Sequence, residues 1–190
     1  MIGLLIALTL VSVVESTPAT NERWVFEDVD GRTHEPFNDI KTKAIVVVFV
    51  TTDCPIANYY QPTLSRFAKE YAAKGVPFFL CHSDPDRQVE EVREHAKEFK
   101  TETPVILDSD QQLAKRLKAK VTPEAFVIDR QGQRVYRGRI DDLYADFGKR
   151  RRVPKTQDLK DAIDAFLAGK KIEHAETKAI GCYISYAKGK

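Results

Sequence analysis

Ile45-Val46-Val47-Val48-Phe49-Val50-Thr51-Thr52-Asp53-Cys54-Pro55 is the stretch that decides how this chain folds. The run Ile45 to Val50 is apolar without alternation, the pattern of a strand covered on both faces. After the short link Thr51-Thr52-Asp53 the chain takes on helical features, so Cys54 stands at a strand-to-helix turn. Such a turn points a side chain at the first amides of a helix, which lack intrahelical acceptors and lie at the positive end of the macrodipole. A thiol held there tends toward thiolate, the nucleophilic form of cysteine. Asp53 opposes ionisation as an adjacent negative charge, and Pro55 removes one amide donor. A modestly activated thiol is therefore expected.

Outward from this turn, Pro62 is expected in the first turn of a helix whose apolar face is Leu64, Phe67, Ala68 and Tyr71, with Gly75 as its stop. Val76 to Cys81 reads as a second apolar strand, and Asp84-Pro85 as the start of a helix carrying Val89, Val92, Ala96 and Phe99. Pro104 to Leu107 is a short strand and Gln111 to Leu117 a short helix. Val121-Thr122-Pro123-Glu124-Ala125-Phe126-Val127-Ile128-Asp129 places a proline directly ahead of another buried-type strand. Arg130-Gln131-Gly132 turns that strand into a return strand, Arg134 to Ile140. Leu159, Ala162, Ile163, Phe166 and Leu167 form the stripe of a last helix, ended by Gly169. Trp24 to Asp28 is one further short strand. Strands alternating with helices, closed by a hairpin, predict an α/β fold with a central mixed sheet flanked by helices on both faces. Sites in such sheets gather beyond the carboxyl ends of the parallel strands, which is where Cys54 lies.

The chain has 190 residues, 43% apolar and 31% charged, with a net charge of +2, which fits one domain with a real core and a solvated surface. A charge so near zero offers no clustered basic face for nucleic acid. Met1 to Val14 is almost wholly apolar, too short to span a bilayer comfortably, and resembles the apolar region of an export signal. Residues 1–16 are therefore expected to be a signal peptide cleaved after Ser16, with residues 24–169 as the folded domain and 170–190 as a tail carrying Cys182. No Lys or Arg precedes the apolar run, so an uncleaved anchor remains the alternative, and no other segment is apolar enough to enter a membrane. The expected location is exported, periplasmic or extracellular. The three cysteines are Cys54, Cys81 and Cys182, an odd number that leaves at least one thiol free or paired with another molecule.

The stretches Phe49 to Pro55 and Val121 to Asp129 together resemble the thioredoxin-like fold, and more closely its redoxin branch, the alkyl hydroperoxide reductase/thiol-specific antioxidant superfamily. Tyr136-Arg137-Gly138-Arg139-Ile140-Asp141-Asp142 and the ending Ile180-Gly181-Cys182 resemble an exported bacterial subgroup. The resemblance covers Trp24 to Gly169 and implies a three-layer thioredoxin-like domain. It implies a cis proline, Pro123, packed against the active cysteine, and Thr122 offering its backbone to an extended thiol substrate. Thr51 stands where peroxiredoxins carry a threonine, expected to hydrogen-bond near the sulfur, and Pro55 lies beside the same groove.

The chain also departs from these relatives. The four residues Cys54-Pro55-Ile56-Ala57 put Ala57 at the usual second-cysteine position of thioredoxins. An oxidised Cys54 is then resolved by Cys182, by Cys81 or by an external thiol. Cys182, in a tail able to reach back over the sheet, is the expected partner, and Cys81 in its apolar strand the expected core residue. Val47 and Pro123 stand where peroxiredoxins carry a proline and an arginine, which argues against fast peroxide reduction. The expectation is an exported thiol oxidoreductase acting on a protein disulfide or, less well, a peroxide, with Cys54, Cys182, Thr51 and Pro123 in the chemistry and Thr122 and Pro55 lining the substrate groove. It needs no metal and no organic cofactor. The alternative is a non-catalytic binding module, or a copper-binding protein with Cys54, His82 and Cys182 converging, in which a Cys54–Cys182 disulfide is structural. His34, His95 and His174 show no ligand spacing. Lys149 to Arg152 reads as a solvated loop, with Asp141-Asp142 as partners or turn caps. No phosphate loop, serine-nucleophile elbow or zinc-protease helix motif is present.

Overall fold

A computed structural model of the protein describes residues 24–187, so the expected signal segment Met1 to Ser16 lies outside the described residues. The elements in order are β1 (Phe26–Glu27), β2 (Thr33–His34), a 3-10 turn (Pro36–Asn38), β3 (Ala44–Val50), α1 (Pro55–Ala72), β4 (Phe78–His82), α2 (Val89–Glu98), β5 (Val105–Leu107) and α3 (Gln112–Leu117). They continue with β6 (Val121–Thr122), β7 (Glu124–Asp129), β8 (Arg134–Gly138), β9 (Tyr144–Asp146), β10 (Lys149–Arg150), α4 (Asp158–Leu167) and β11 (Cys182–Tyr183).

Five strands make the central sheet in the order β5-β4-β3-β7-β8. β3, β4 and β5 run parallel, while β7 and β8 are antiparallel to their neighbours. The unbroken apolar run of β3 has the expected consequence, since all seven of its residues are fully buried. Ala44, Val46, Val48 and Val50 face one core with Ile56, Tyr60, Leu64 and Phe67 of α1, Val92 of α2 and Leu159 and Ile163 of α4. Ile45, Val47 and Phe49 face the other, with Leu113 and Leu117 of α3, Trp24 and Phe26. The α/β class and mixed sheet expected from the sequence are thus present.

Two helix starts differ from expectation. Pro62 lies in the eighth position of α1, not its first turn, because the helix begins at Pro55. An interior proline removes the amide that would bond the Asn58 carbonyl and costs about 3 kcal/mol. Burial of Ile56, Tyr60, Leu64, Phe67 and Tyr71 on one face outweighs this, at roughly 1.5–3 kcal/mol per large side chain. α2 begins at Val89 rather than at Asp84-Pro85, because Asp84 closes a turn instead. Its carboxylate accepts from the Asp86 amide (3.1 Å) and its carbonyl from the Arg87 amide (3.3 Å). The return strand stops at Gly138 (φ 146°), where the Thr177 backbone packs so closely that a Cβ would collide with it. Lys149 to Arg152 is exposed, as a solvated segment should be, but its first half forms the small β9–β10 hairpin. Asp142 takes the Arg151 guanidinium at 3.1 Å and the amides of Lys155 and Thr156.

Candidate functional site

Cys54 is the N-cap of α1, with φ −88° and ψ 108°. Its Sγ accepts from the Ala57 amide at 3.4 Å, so one of the orphan donors of the first turn is aimed at the sulfur. As a thiol, it donates to the Thr122 carbonyl at 3.0 Å. The Thr122–Pro123 peptide bond is cis, and Pro123 is buried beside this contact. Cys54 and the β6–β7 junction, 68 positions apart in sequence, therefore share one site.

The tail completes it. Beyond α4 the chain runs along β8, where Thr177 donates its amide to the Arg137 carbonyl at 2.9 Å. β11 then pairs antiparallel with β6, matching Cys182 to Thr122 and Tyr183 to Val121. Cys182 is thereby set opposite the residue whose carbonyl takes the Cys54 thiol, and both cysteines are free thiols. A cavity of about 360 Å³ opens on the outer side of this contact, lined by Thr51, Asp53, Ser83, Thr122, Cys182 and Tyr183 among others.

The electrostatics separate the three thiols. Burial pushes the Cys54 pKa up, but the Ala57 amide aimed at the sulfur, together with the neighbouring Cys182 and the Thr122 side chain, outweighs it, leaving the pKa below the ordinary thiol value. Cys182 is pushed up to about 11, first by burial, then by donating to Cys54 and by the nearby Asp53 carboxylate. Cys81, on the opposite face of the sheet, is held well above the ordinary value by complete burial.

Several expectations change here. Asp53 does not act on Cys54 as an unscreened negative charge. It is tied to Arg87 at 2.5 Å and has an exposed carboxylate, and Cys182 is the thiol it raises. Thr51 meets the Cys54 amide through its carbonyl at 3.4 Å, rather than the sulfur through its hydroxyl. Pro55 is exposed at the start of α1. His82 does not converge with the two cysteines. It turns into the interior to meet the His95 ring at 5.6 Å, and burial lowers its pKa to about 3. Among the described residues no group of three or more His, Cys, Asp or Glu side chains is placed to hold a metal ion.

Exposure adds what the place of Cys54 beyond the carboxyl end of β3 does not reveal: Cys54 is 0% exposed, while Cys182 is partly exposed. Sequence reasoning also missed Gln111. This fully buried residue takes a left-handed backbone (φ 60°) and sends its amide to the Ser83 carbonyl and to the Ser185 carbonyl of the tail, both at 2.8 Å. Its partners are distant in sequence, so only the preference of α3 for a start nearby was legible.

The chain belongs to the Redoxin family, whose model matches residues 16–146. Solved structures agree. A hypothetical protein from Sinorhizobium meliloti is 29% identical with TM-score 0.76, the match covering 89% of this chain and 93% of that one. An uncharacterised conserved protein from Geobacillus kaustophilus is 29% identical with TM-score 0.75, covering 90% and 92%. A secreted Mycobacterium tuberculosis disulfide oxidoreductase is 16% identical with TM-score 0.52, covering 77% and 96%, and shares the thioredoxin-like fold. Comparison with curated proteins gives no match.

Proposed function

We propose that this redoxin is an exported thiol–disulfide oxidoreductase, with Cys54 as the attacking sulfur and Cys182 as the resolving one. The observation that carries this is that the two cysteines converge on Thr122, whose carbonyl takes the Cys54 thiol at 3.0 Å at the N-cap of α1 and whose strand pairs it with Cys182. The Cys54 thiolate attacks one sulfur of a substrate disulfide, forming a mixed disulfide and expelling the other sulfur as thiolate. Cys182 then loses its proton and attacks the Cys54 sulfur, forming Cys54–Cys182 and releasing the second substrate thiolate. Two electrons pass from the cysteine pair to the substrate. The low Cys54 pKa suits the first attack, and the raised Cys182 pKa keeps the resolving thiol protonated until Cys54 is no longer an anion.

A peroxide is the weaker substrate. The buried arginine at this end of the sheet, Arg137, is engaged by Glu124 at 2.7 Å and by the Lys118 carbonyl at 2.9 Å rather than by the sulfur. Export is supported by the apolar run Met1 to Val14 and by the fold shared with a secreted oxidoreductase. The full burial of Cys54 favours a second reading, a non-catalytic module in which the cysteine pair is a staple.

A mass-spectrometric map of the oxidised protein, followed by reduction of a protein disulfide, separates the two. The oxidoreductase gives a Cys54–Cys182 bond that forms and breaks during turnover, and Cys54→Ser stops turnover. Equal turnover in Cys54→Ser and wild type rejects the assignment, and a bond that never cycles selects the staple. Recovery of chains beginning near residue 17 from the periplasmic fraction tests export.

A further inference from the structure

The sulfur assigned as nucleophile is closed to solvent, and what lies over it is the chain's own tail. β11 is only two residues long, yet it occupies the backbone edge of β6 next to Cys54. The Ile184 amide donates a hydrogen bond to the Lys120 carbonyl at 2.9 Å. Gly181 sits so tightly on the Thr122 carbonyl that any Cβ would overlap it. Further out, Gln111 holds the Ser185 carbonyl with its amide and the Ala187 amide with its carbonyl oxygen, each at 2.8 Å, and the Tyr186 hydroxyl donates to the Ala119 carbonyl at 2.7 Å. Cys182 and Ile184 rest on the margins of the two cores, but the other attachments are single polar bonds. Tyr183 is 80% exposed and Tyr186 40%. A segment fixed in this way opens at far lower cost than the core beneath it.

We propose that residues 181–187 are a releasable strap, an intramolecular occupant of the β6 edge that an extended, cysteine-bearing polypeptide must displace to reach Cys54. This rests on the oxidoreductase reading for its purpose but not for its test. The tail shows what the edge accepts: an extended backbone pairing antiparallel with Val121 and Thr122, with a glycine over the Thr122 carbonyl and a cysteine opposite Thr122. A partner segment in that register brings its sulfur to the place Cys182 now fills. The substrate and Cys182 therefore take the same edge in turn. Attack on the substrate happens with the strap lifted, and resolution happens when the strap returns. Gln111, buried and bonded on its other side to the Ser83 carbonyl, is the fixed half of the latch.

The test uses the full chain and two variants confined to the tail, which leave the edge itself intact. Gly181→Ala puts a Cβ against the Thr122 carbonyl, and Ile184→Pro deletes the amide donor to Lys120. The probe is a fluorescent peptide of the sequence of residues 179–188 with serine in place of the cysteine, so that binding needs no chemistry. Wild type should bind it weakly and react slowly with iodoacetamide at Cys54. Both variants should bind it at least about tenfold more tightly and alkylate at least about tenfold faster, because the gain is the reciprocal of the open fraction. Hydrogen exchange at the Ala187 amide should rise in parallel. Unchanged binding and alkylation in both variants overturns the strap: either the tail lifts without uncovering anything, or the contacts described do not hold it. A gain in both without any disulfide turnover keeps the strap and rejects the oxidoreductase. Normal turnover in wild type with no gain in either variant rejects the strap alone.

Discussion

Cys54 and Cys81 are equally shut off from solvent, yet their thiols are driven in opposite directions. They lie on opposite faces of one sheet, Cys81 among Phe79, Ile106 and Leu113, Cys54 at the end of α1. Cys81 has only the Ser83 hydroxyl within reach, at 3.6 Å, and the Asp108 carboxylate nearby adds to its burial penalty. Cys54 has a helix amide, a second thiol and a hydroxyl to bear its charge. Loss of contact with water therefore does not decide which way a cysteine pKa moves. What decides is whether the groups that replace water are donors.

The largest expected effect is on turnover. Cys54→Ser should lose at least about 100-fold in protein-disulfide reduction, whereas Cys81→Ala should stay within about twofold. A reversed ranking breaks the comparison. The next effect is on stability. Cys81→Ala should lower the unfolding free energy by about 1 kcal/mol through the cavity left by the sulfur, read from urea midpoints near neutral pH. Because the Cys81 pKa is raised, its protonic contribution is fully present below the ordinary thiol value, about 8.5, and is lost as pH rises above it. The Cys54 pKa is lowered, so its contribution has the opposite sign, present above the ordinary value and lost as pH falls through its own. The urea midpoint difference between Cys54→Ala and wild type should accordingly widen toward alkaline pH, and that between Cys81→Ala and wild type should shrink.

A third change is smaller. Thr122→Val removes a side-chain hydroxyl that donates to the Cys182 carbonyl at 3.4 Å and helps to lower the Cys54 pKa, a loss of roughly 0.5–1.5 kcal/mol. Alkylation of Cys54 at pH 7 should fall about three- to tenfold, with the half-maximum of the rate moving to higher pH. An unmoved profile would mean that the Ala57 amide and Cys182 suffice. The smallest effect belongs to Asp53→Asn. Its carboxylate is 72% exposed in the ion pair with Arg87, and pairs with a solvent-exposed member contribute about 0–1 kcal/mol. Stability should barely change. The Cys182 pKa should fall from its raised value of about 11, and the resolving step should quicken by no more than about threefold. A change in the Cys54 profile instead would return Asp53 to the role that the sequence first suggested.

The sequence determined what depends on neighbours along the chain. The unalternated run of β3, the helical spacing after Cys54 and the proline ahead of β7 were enough for the sheet, the helix start and the α/β class, because periodicity and caps act over a few residues. At Pro62 and at the start of α2, a buried face in one case and an aspartate turn in the other override local preference. Only the tertiary structure decided that Cys54 is covered, that Asp53 is spent on Arg87, that His82 turns to His95 and that Gln111 grips the tail. These rest on directional bonds between residues up to 76 positions apart, and such bonds leave no periodic trace in a single sequence.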